Sequence, residues 1–411
     1  MRVLFLSDRW PKNFDEFSYG TAIRMQLMLG ALQVRADHID LLFFAPPLSE
    51  LDPATLDAAR QRIATDWGLK SFSLTVVERQ TVPERLDRLW RDYLRPALDA
   101  RRQPMLAACG GEEHQAAFEA CLTQSPDLIF VHRLASMMPL MRSRRALPPV
   151  FLDLDDIEHR RFARLIDEPP MWRSKKLLKA QVPALERIER KAVEMTQGAF
   201  VCSTADAVFL NQRWRCANVF EVPNSVPDRG VAPFNSAPTV LFLGILNYRP
   251  NSAGAEWFID AIWPQIRAVV PEAQLIVAGK NPDSVRQFKA PPGGVSFPGF
   301  VKDLTQVYAD ARVVICPIRS GSGTRVKIIE AASFSKPIVS TQLGAEGLSF
   351  QDGSEILLRD TASAFADAVV ELLQSDARAI AIGQSARLAF ERDYFEPSVR
   401  NRIATRIFEA A

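Results

Sequence analysis

Short, almost unbroken apolar runs alternate with longer stretches of helical periodicity, in two consecutive series along the chain. No other feature of the sequence constrains the fold as much. A strand that is apolar at nearly every position is buried on both faces, and parallel sheets covered by helices bury strands in that way. The first series predicts strands over residues 3–7, 39–44, 72–77, 128–132, 150–154, 199–203 and 219–222. The second predicts them over 240–244, 274–279, 295–297, 313–317, 337–340 and 356–358, with helices over 362–374 and 385–392 near the end. Between the series, residues 223–230 (PNSVPDRG) are rich in turn formers and read as an interdomain linker. The expectation is an α/β protein of two Rossmann-like parallel-sheet domains facing a central cleft. The N-terminal domain is expected over 1–228, rejoined by a C-terminal helix over 393–411, and the C-terminal domain over 229–392.

Bulk properties exclude several classes. A chain of 411 residues is long for one core and fits two or three domains. The net charge of +2 gives no global field for nucleic acid, and none is expected as a partner. Cys109, Cys121, Cys202, Cys216 and Cys316 are scattered, with no C-x-x-C pair. They argue against a disulfide framework or zinc site and fit a reducing compartment. The opening apolar run is too short for a signal peptide, and no apolar stretch reaches about 20 residues. A cytoplasmic protein is expected. Two segments are candidates for peripheral contact with an anionic inner membrane face: 84–103 (ERLDRLWRDYLRPALDARRQ) and 172–179 (WRSKKLLK). The plainer reading of both is the solvated face of an ordinary helix in the N-terminal domain.

The densest chemical signal is 317–332 (PIRSGSGTRVKIIEAA), directly after a predicted strand. A glycine-rich turn leads into a helix predicted to begin near Thr324, which sets backbone amides and the positive end of a helix dipole at a strand's carboxyl end. Arg325 and Lys327 fall in the first turn, where cations oppose that dipole, and an anionic ligand resolves the conflict. Glu330, three residues after Lys327, lies on roughly the same helix face and can accept hydroxyls of a ribose. Cations and amides for a pyrophosphate, with a carboxylate for a sugar diol, match a nucleoside diphosphate. The plainer alternative is a surface helix with an i,i+3 Lys–Glu pair.

With these positions the C-terminal half resembles the retaining glycosyltransferases of family 4, in the group with a G-x-G-T-R-x-K-x-x-E-A signature. The resemblance extends to 336–341 (KPIVST), 344–348 (GAEGL), 240–244 (VLFLG), 247–251 (NYRPN), 275–279 and 299–304, and covers roughly 238–360. Residues 1–227 match in outline. The resemblance implies the GT-B fold, a nucleotide-sugar donor and a glycan, lipid-linked or small-molecule acceptor, in polysaccharide or glycoconjugate biosynthesis. It implies donor contacts at Gly20, Gly244, Asn247, Phe300, Val301, Gly321, Ser322, Gly323, Thr324, Arg325, Lys327 and Glu330, with the 298–301 loop reading the base edge. Two departures stand out. The first glutamate of the family's usual pair is replaced by Ser322, and a basic pair usual after the domain's first strand is absent from the loop that begins at Gly244. Arg325 and Lys327 supply the same charge from across the pocket, and Arg249 is a further candidate cation.

In the first half, Gly20 opens a helix after the first strand. His132 and Asp155 end predicted strands, where polar side chains face the ligand side of a parallel sheet. Asp153 and Asp155 alternate onto one side, and Asp155 or Asp156 can instead cap the next helix. Asp155, His132, Arg325 and Lys327 are the candidate catalytic residues, Asp155 standing where many resembling enzymes carry a histidine. No cofactor or metal is expected beyond the nucleotide sugar itself, because the donor half holds no Asp-x-Asp pair. A nucleotide-sugar epimerase and a non-catalytic GT-B-like binding partner are the alternative readings. A nicotinamide-dependent oxidoreductase is disfavoured, since no G-x-G-x-x-G follows the first strand.

Overall fold

The computed structural model describes residues 1–10, 20–46, 53–80, 90–168, 172–321 and 323–410. The chain forms two compact units: Met1–Val222 with Arg400–Ala411, and Pro223–Val399.

The first unit carries a seven-stranded sheet in the order β3-β2-β1-β4-β5-β6-β7. Its strands are β1 (Arg2–Ser7), β2 (His38–Ala45), β3 (Phe72–Glu78), β4 (Leu128–His132), β5 (Val150–Asp155), β6 (Gly198–Val201) and β7 (Val219–Glu221). Every pairing is parallel, with Val3 opposite both Ile39 and Leu128. Aromatic rings tie the central strands together. Phe5 stacks on Phe130 at 5.8 Å, Phe130 on Phe200 at 6.2 Å, and Phe200 on Phe151 at 6.2 Å. Cross-strand aromatic pairs of this kind hold register as well as bury area.

The second unit carries a six-stranded sheet in the order β10-β9-β8-β11-β12-β13. Its strands are β8 (Thr239–Leu243), β9 (Gln274–Ala278), β10 (Val295–Gly299), β11 (Val313–Cys316), β12 (Ile338–Ser340) and β13 (Leu357–Leu358). These are parallel too. Every predicted strand has a counterpart, because each apolar run was long enough to be buried and short enough to be bounded by turns.

The turn-rich segment behaves differently from a linker. Residues 222–226 are buried. Ser225 Oγ donates to the Tyr394 carbonyl, Val226 bridges Phe395, and Asn224 Nδ2 donates to Thr324 Oγ1 at 2.6 Å. The boundary between the units therefore falls at 222/223 instead of 228/229. At the other end, the part of the helix Glu396–Ala410 from Arg400 onward belongs to the first unit. A Cβ on Gly30 would lie 2.8 Å from Arg400 Nε, and Arg406 stands over Phe220 at 4.8 Å.

Of the two basic amphipathic segments, residues 84–89 lie outside the described residues. Trp90–Leu94 and Arg95–Leu98 are helical, with Tyr93 buried and Trp90, Leu94 and Leu98 exposed. Trp172 and Leu177 are also exposed. Among the described residues no helix is long and apolar enough to cross a membrane.

Candidate functional site

In the second unit the strand order reverses between β8 and β11. Open parallel sheets take ligands beyond the carboxyl ends of such a pair. Gly244 follows β8, and the 317–323 loop follows β11, whose residues are all buried. Gly321 and Gly323 hold φ of 91° and 80°, a conformation that favours glycine. The helix after this loop is Val326–Ser333, two residues later than Thr324. Arg325 is its N-cap, in extended backbone at φ −92° and ψ 94°, so it precedes the first turn instead of lying in it. The Arg325 side chain makes no capping bond to this helix and its first turn holds no acidic residue, so the positive end of the helix dipole suits an anion.

Lys327 sits at the reversal point. Its Nζ donates to Asn251 Oδ1 at 2.8 Å and stands 4.4 Å from the centre of the Phe242 ring. A Cβ on Gly244 would lie 2.8 Å from the same Nζ, so the ammonium rests against bare backbone at the end of β8. Asn251 is fixed in turn by donating from Nδ2 to the Ile245 carbonyl at 2.9 Å. Burial pushes the Lys327 pKa down to about 8, and the nearby Arg325 charge pushes the same way. A cation made costly by its surroundings is one that an anion would stabilise.

The other predicted donor residues divide. Arg325 is buried, and its guanidinium folds back onto the loop, reaching the carbonyls of Gly323 and Ser320. It braces the loop while contributing charge. Glu330 accepts from Tyr308 Oη at 2.9 Å, and Tyr308 stacks on Phe334 at 4.5 Å. Burial raises the Glu330 pKa, while the Tyr308 bond acts against that rise. Thr324 is fixed by Asn224. Asn247 is exposed, Val301 packs partly on the core, and Phe300 is exposed with Lys280 Nζ 4.8 Å from its ring centre. Arg249 is exposed and pairs with Glu256 at 3.4 Å. Ser322 lies outside the described residues.

In the first unit, Gly20 is the first residue of the helix Gly20–Leu32, and residues 11–19 before it lie outside the described residues. His132 is fully buried. Its Nδ1 meets Ser7 Oγ at 2.8 Å and its Nε2 lies 4.0 Å from Asp153 Oδ2. Burial and the neighbouring Arg133 hold its pKa well below the ordinary histidine value. A ring with no exposed surface cannot touch a substrate, so His132 reads as a structural imidazole. Asp153 and Asp155 do not share one side, because the β5–β6 register shifts between them and Asp155 turns to φ 61°. Asp153 is buried against Arg24. Asp155 is slightly exposed and lies 3.9 Å from Arg24 and 3.8 Å from Arg133. The N-cap residue of the next helix, Glu158–Asp167, is Ile157, with no side-chain bond of its own, instead of Asp155 or Asp156.

Sequence reasoning missed Asn251 and Tyr308 as the residues that hold Lys327 and Glu330. Asn251 was visible inside the NYRPN run, but Tyr308 lies far away in sequence and carries no local signal. It also missed the Arg24 and Arg133 network. Gly321 offers a direct check on the loop. Its Cβ would lie 3.0 Å from Pro250 Cγ and 3.1 Å from Tyr248 Oη, at φ 91°. Gly321→Ala is expected to lower stability by about 1–2 kcal/mol, read as a reduced melting temperature.

Residues 237–375 match the family model "Glycosyl transferases group 1". A curated relative, described as an uncharacterized 44.6 kDa protein in the cps region of Klebsiella pneumoniae, is 22% identical over 139 residues. That match covers 32% of this chain and 36% of the relative, so the chain spans about a third of that protein's length. Among solved structures, sucrose-phosphate synthase from Thermosynechococcus elongatus superposes with a TM-score of 0.69 at 15% identity, covering 100% of both chains. HepE of Anabaena in complex with UDP gives 0.64 at 14% identity, again covering 100% of both. At these identities the likeness is one of fold.

Proposed function

We propose, from the premise that residues 237–375 form a glycosyl transferases group 1 domain on a GT-B fold, that this chain is a sugar transferase. It moves a glycosyl group from a nucleoside diphosphate donor to a glycan, lipid-linked or small-molecule acceptor, with retention at the anomeric carbon. The observation that carries this reading is the Lys327 ammonium, held against Gly244 at the β8–β11 reversal, in the first turn of a helix with no acidic residue in that turn. A diphosphate is the ligand whose charge and size answer that arrangement.

In the reaction, the bond between the anomeric carbon and the terminal phosphate oxygen breaks. A bond from the acceptor oxygen to the same carbon forms. The acceptor proton passes to the leaving phosphate, so no protein base is required. Negative charge gathers on the departing diphosphate, where Lys327 and the first amides of Val326–Ser333 stabilise it. Glu330, steadied by Tyr308, takes the ribose hydroxyls through its remaining oxygen. The Klebsiella relative's cps region suggests polysaccharide assembly as the setting.

Uridine diphosphate, present in the HepE complex, is the first nucleotide to test. Incubation with UDP-sugars and oligosaccharide acceptors should release UDP only when acceptor is present. Release should be unchanged by excess EDTA, since the cationic charge at the diphosphate comes from side chains. An epimerised donor with no acceptor product would assign the chain to a different reaction, and nucleotide binding without turnover would make it a binding partner. A tenfold or larger loss of rate with EDTA would overturn the metal independence alone.

A further inference from the structure

The first unit contains a cavity of about 400 Å³ that plays no part in the site above. It lies on the carboxyl side of the sheet: Gln80 follows β3, and Met138 and Arg142 follow β4. Among the described residues five arginines line it, Arg91, Arg95, Arg101, Arg102 and Arg142, with one carboxylate, Asp99.

Among the described residues the carboxylates paired with these arginines, Asp99 and Asp92, are fewer than the guanidinium groups. Arg101 takes both Asp99 oxygens, at 2.9 and 3.0 Å, and Arg102 stands 3.9 Å from the same carboxylate. Asp99 therefore orients two guanidinium groups while neutralising one charge. Arg91 is matched by Asp92 at 2.6 Å. Arg142 donates to the Gly110 carbonyl, which fixes its direction without cancelling its charge. Arg95 pairs with no carboxylate among the described residues. Gln80, which also lines the cavity, packs its amide into the space that a Cβ on Gly111 would take.

Arg101 and Arg102 reach solvent at 60% and 54% exposure, which screens their repulsion, and a bound anion bridging the cluster would relieve what remains. Guanidinium forks match the oxygens of a phosphate two at a time. The volume suits a small ligand or one end of a larger one.

We propose that this cavity is a second anion site, taking a phosphate-bearing group, separate from the Lys327 site in the other unit. On the transferase reading above, that group belongs to the acceptor, and the chain acts on a phosphorylated acceptor. The anion site itself does not depend on that reading.

The test uses the full chain in a Lys327→Ala background, so that phosphate probes do not report the nucleotide site. Glycerol 3-phosphate and inorganic pyrophosphate are titrated calorimetrically, and vesicles of phosphatidylglycerol with phosphatidylcholine are tested by co-sedimentation. Binding is expected to persist in Lys327→Ala and to weaken roughly tenfold or more on adding Arg95→Gln and Arg102→Gln. Arg95→Lys with Arg102→Lys keeps the charge and should retain much of the binding, which separates loss of charge from misfolding. Binding of the soluble probes assigns the group to a soluble ligand. Binding to the anionic vesicles alone, lost with the same two glutamines, assigns it to a lipid headgroup. No binding in either arm, or binding indifferent to Arg95 and Arg102, overturns the site. Nucleotide affinity measured on the Arg95/Arg102 variant with Lys327 intact reports separately on the transferase reading.

Discussion

Replacing Lys327 with alanine is expected to weaken UDP binding by roughly 30- to 100-fold, the loss of one charge-assisted contact in a partly buried site. The group cannot be substituted by a neighbour. Arg325 is turned onto the Gly323 and Ser320 carbonyls, and Arg249 is occupied with Glu256. Gly244→Ala should reproduce much of the loss without removing the charge, because its Cβ would lie 2.8 Å from the Lys327 Nζ and 3.0 Å from Asn251 Nδ2. Isothermal titration of each variant at neutral pH is the measurement, and unchanged affinity in Lys327→Ala would remove the basis for the nucleotide site.

The pH dependence carries a sign that a merely structural lysine would not give. Burial sets the unliganded Lys327 pKa at about 8, against an ordinary 10.5. Below that value the ammonium is already formed, and Lys327 adds no pH dependence to UDP affinity. Above it the free protein must take up a proton to bind, so affinity falls as pH rises through 8. Lys327→Ala should lack that fall. Stability of the unliganded protein moves the other way. Between about 8 and 10.5 the unfolded chain binds more protons at this position than the folded one, so the folded state gains stability as pH rises.

The second large effect lies in the first unit. Arg24 and Asp153 are both fully buried. Arg24 Nη2 donates to Asp153 Oδ1 at 2.6 Å, its Nε reaches both carboxylate oxygens at 2.9 Å, and its Nη1 donates to the Val222 carbonyl at 2.8 Å. Arg24→Met removes the cation and leaves the carboxylate without its main partner inside the core. The expected cost is about 3–5 kcal/mol, visible as a large drop in melting temperature. Arg24→Met combined with Asp153→Leu should recover a good part of it, because no unpaired charge then remains buried. Should the single variant melt with the wild type, the pair would have to be solvated in a way its burial denies. The second outcome of interest is local: Asp155 lies 3.9 Å from the same arginine, so its position should relax as well.

Most of the architecture was legible because each strand advertises itself locally. Runs such as 128–131 and 313–316 are apolar at every position, and only a sheet covered on both faces buries such a run. The glycine-rich turn and the Lys327–Glu330 spacing were legible for a similar reason, since a loop and the helix it starts are contiguous in sequence. The segment at 223–230 shows where local reading fails. Its composition is that of a linker, yet Asn224, Ser225 and Val226 are held by Thr324, Tyr394 and Phe395, far along the chain.

The same division runs through the chemistry. The sequence by itself determined two parallel α/β units and a basic, glycine-led helix start in the second, because periodicity and turn chemistry act over a few neighbouring residues. Only the tertiary structure decided that Lys327 faces Gly244 and Asn251, that Arg325 turns back on its own loop, and that His132 is sealed in the core. It also gathered Arg91 to Arg102 and Arg142 around one cavity. Those outcomes depend on which strands become neighbours, and hence on contacts between residues that no local pattern connects.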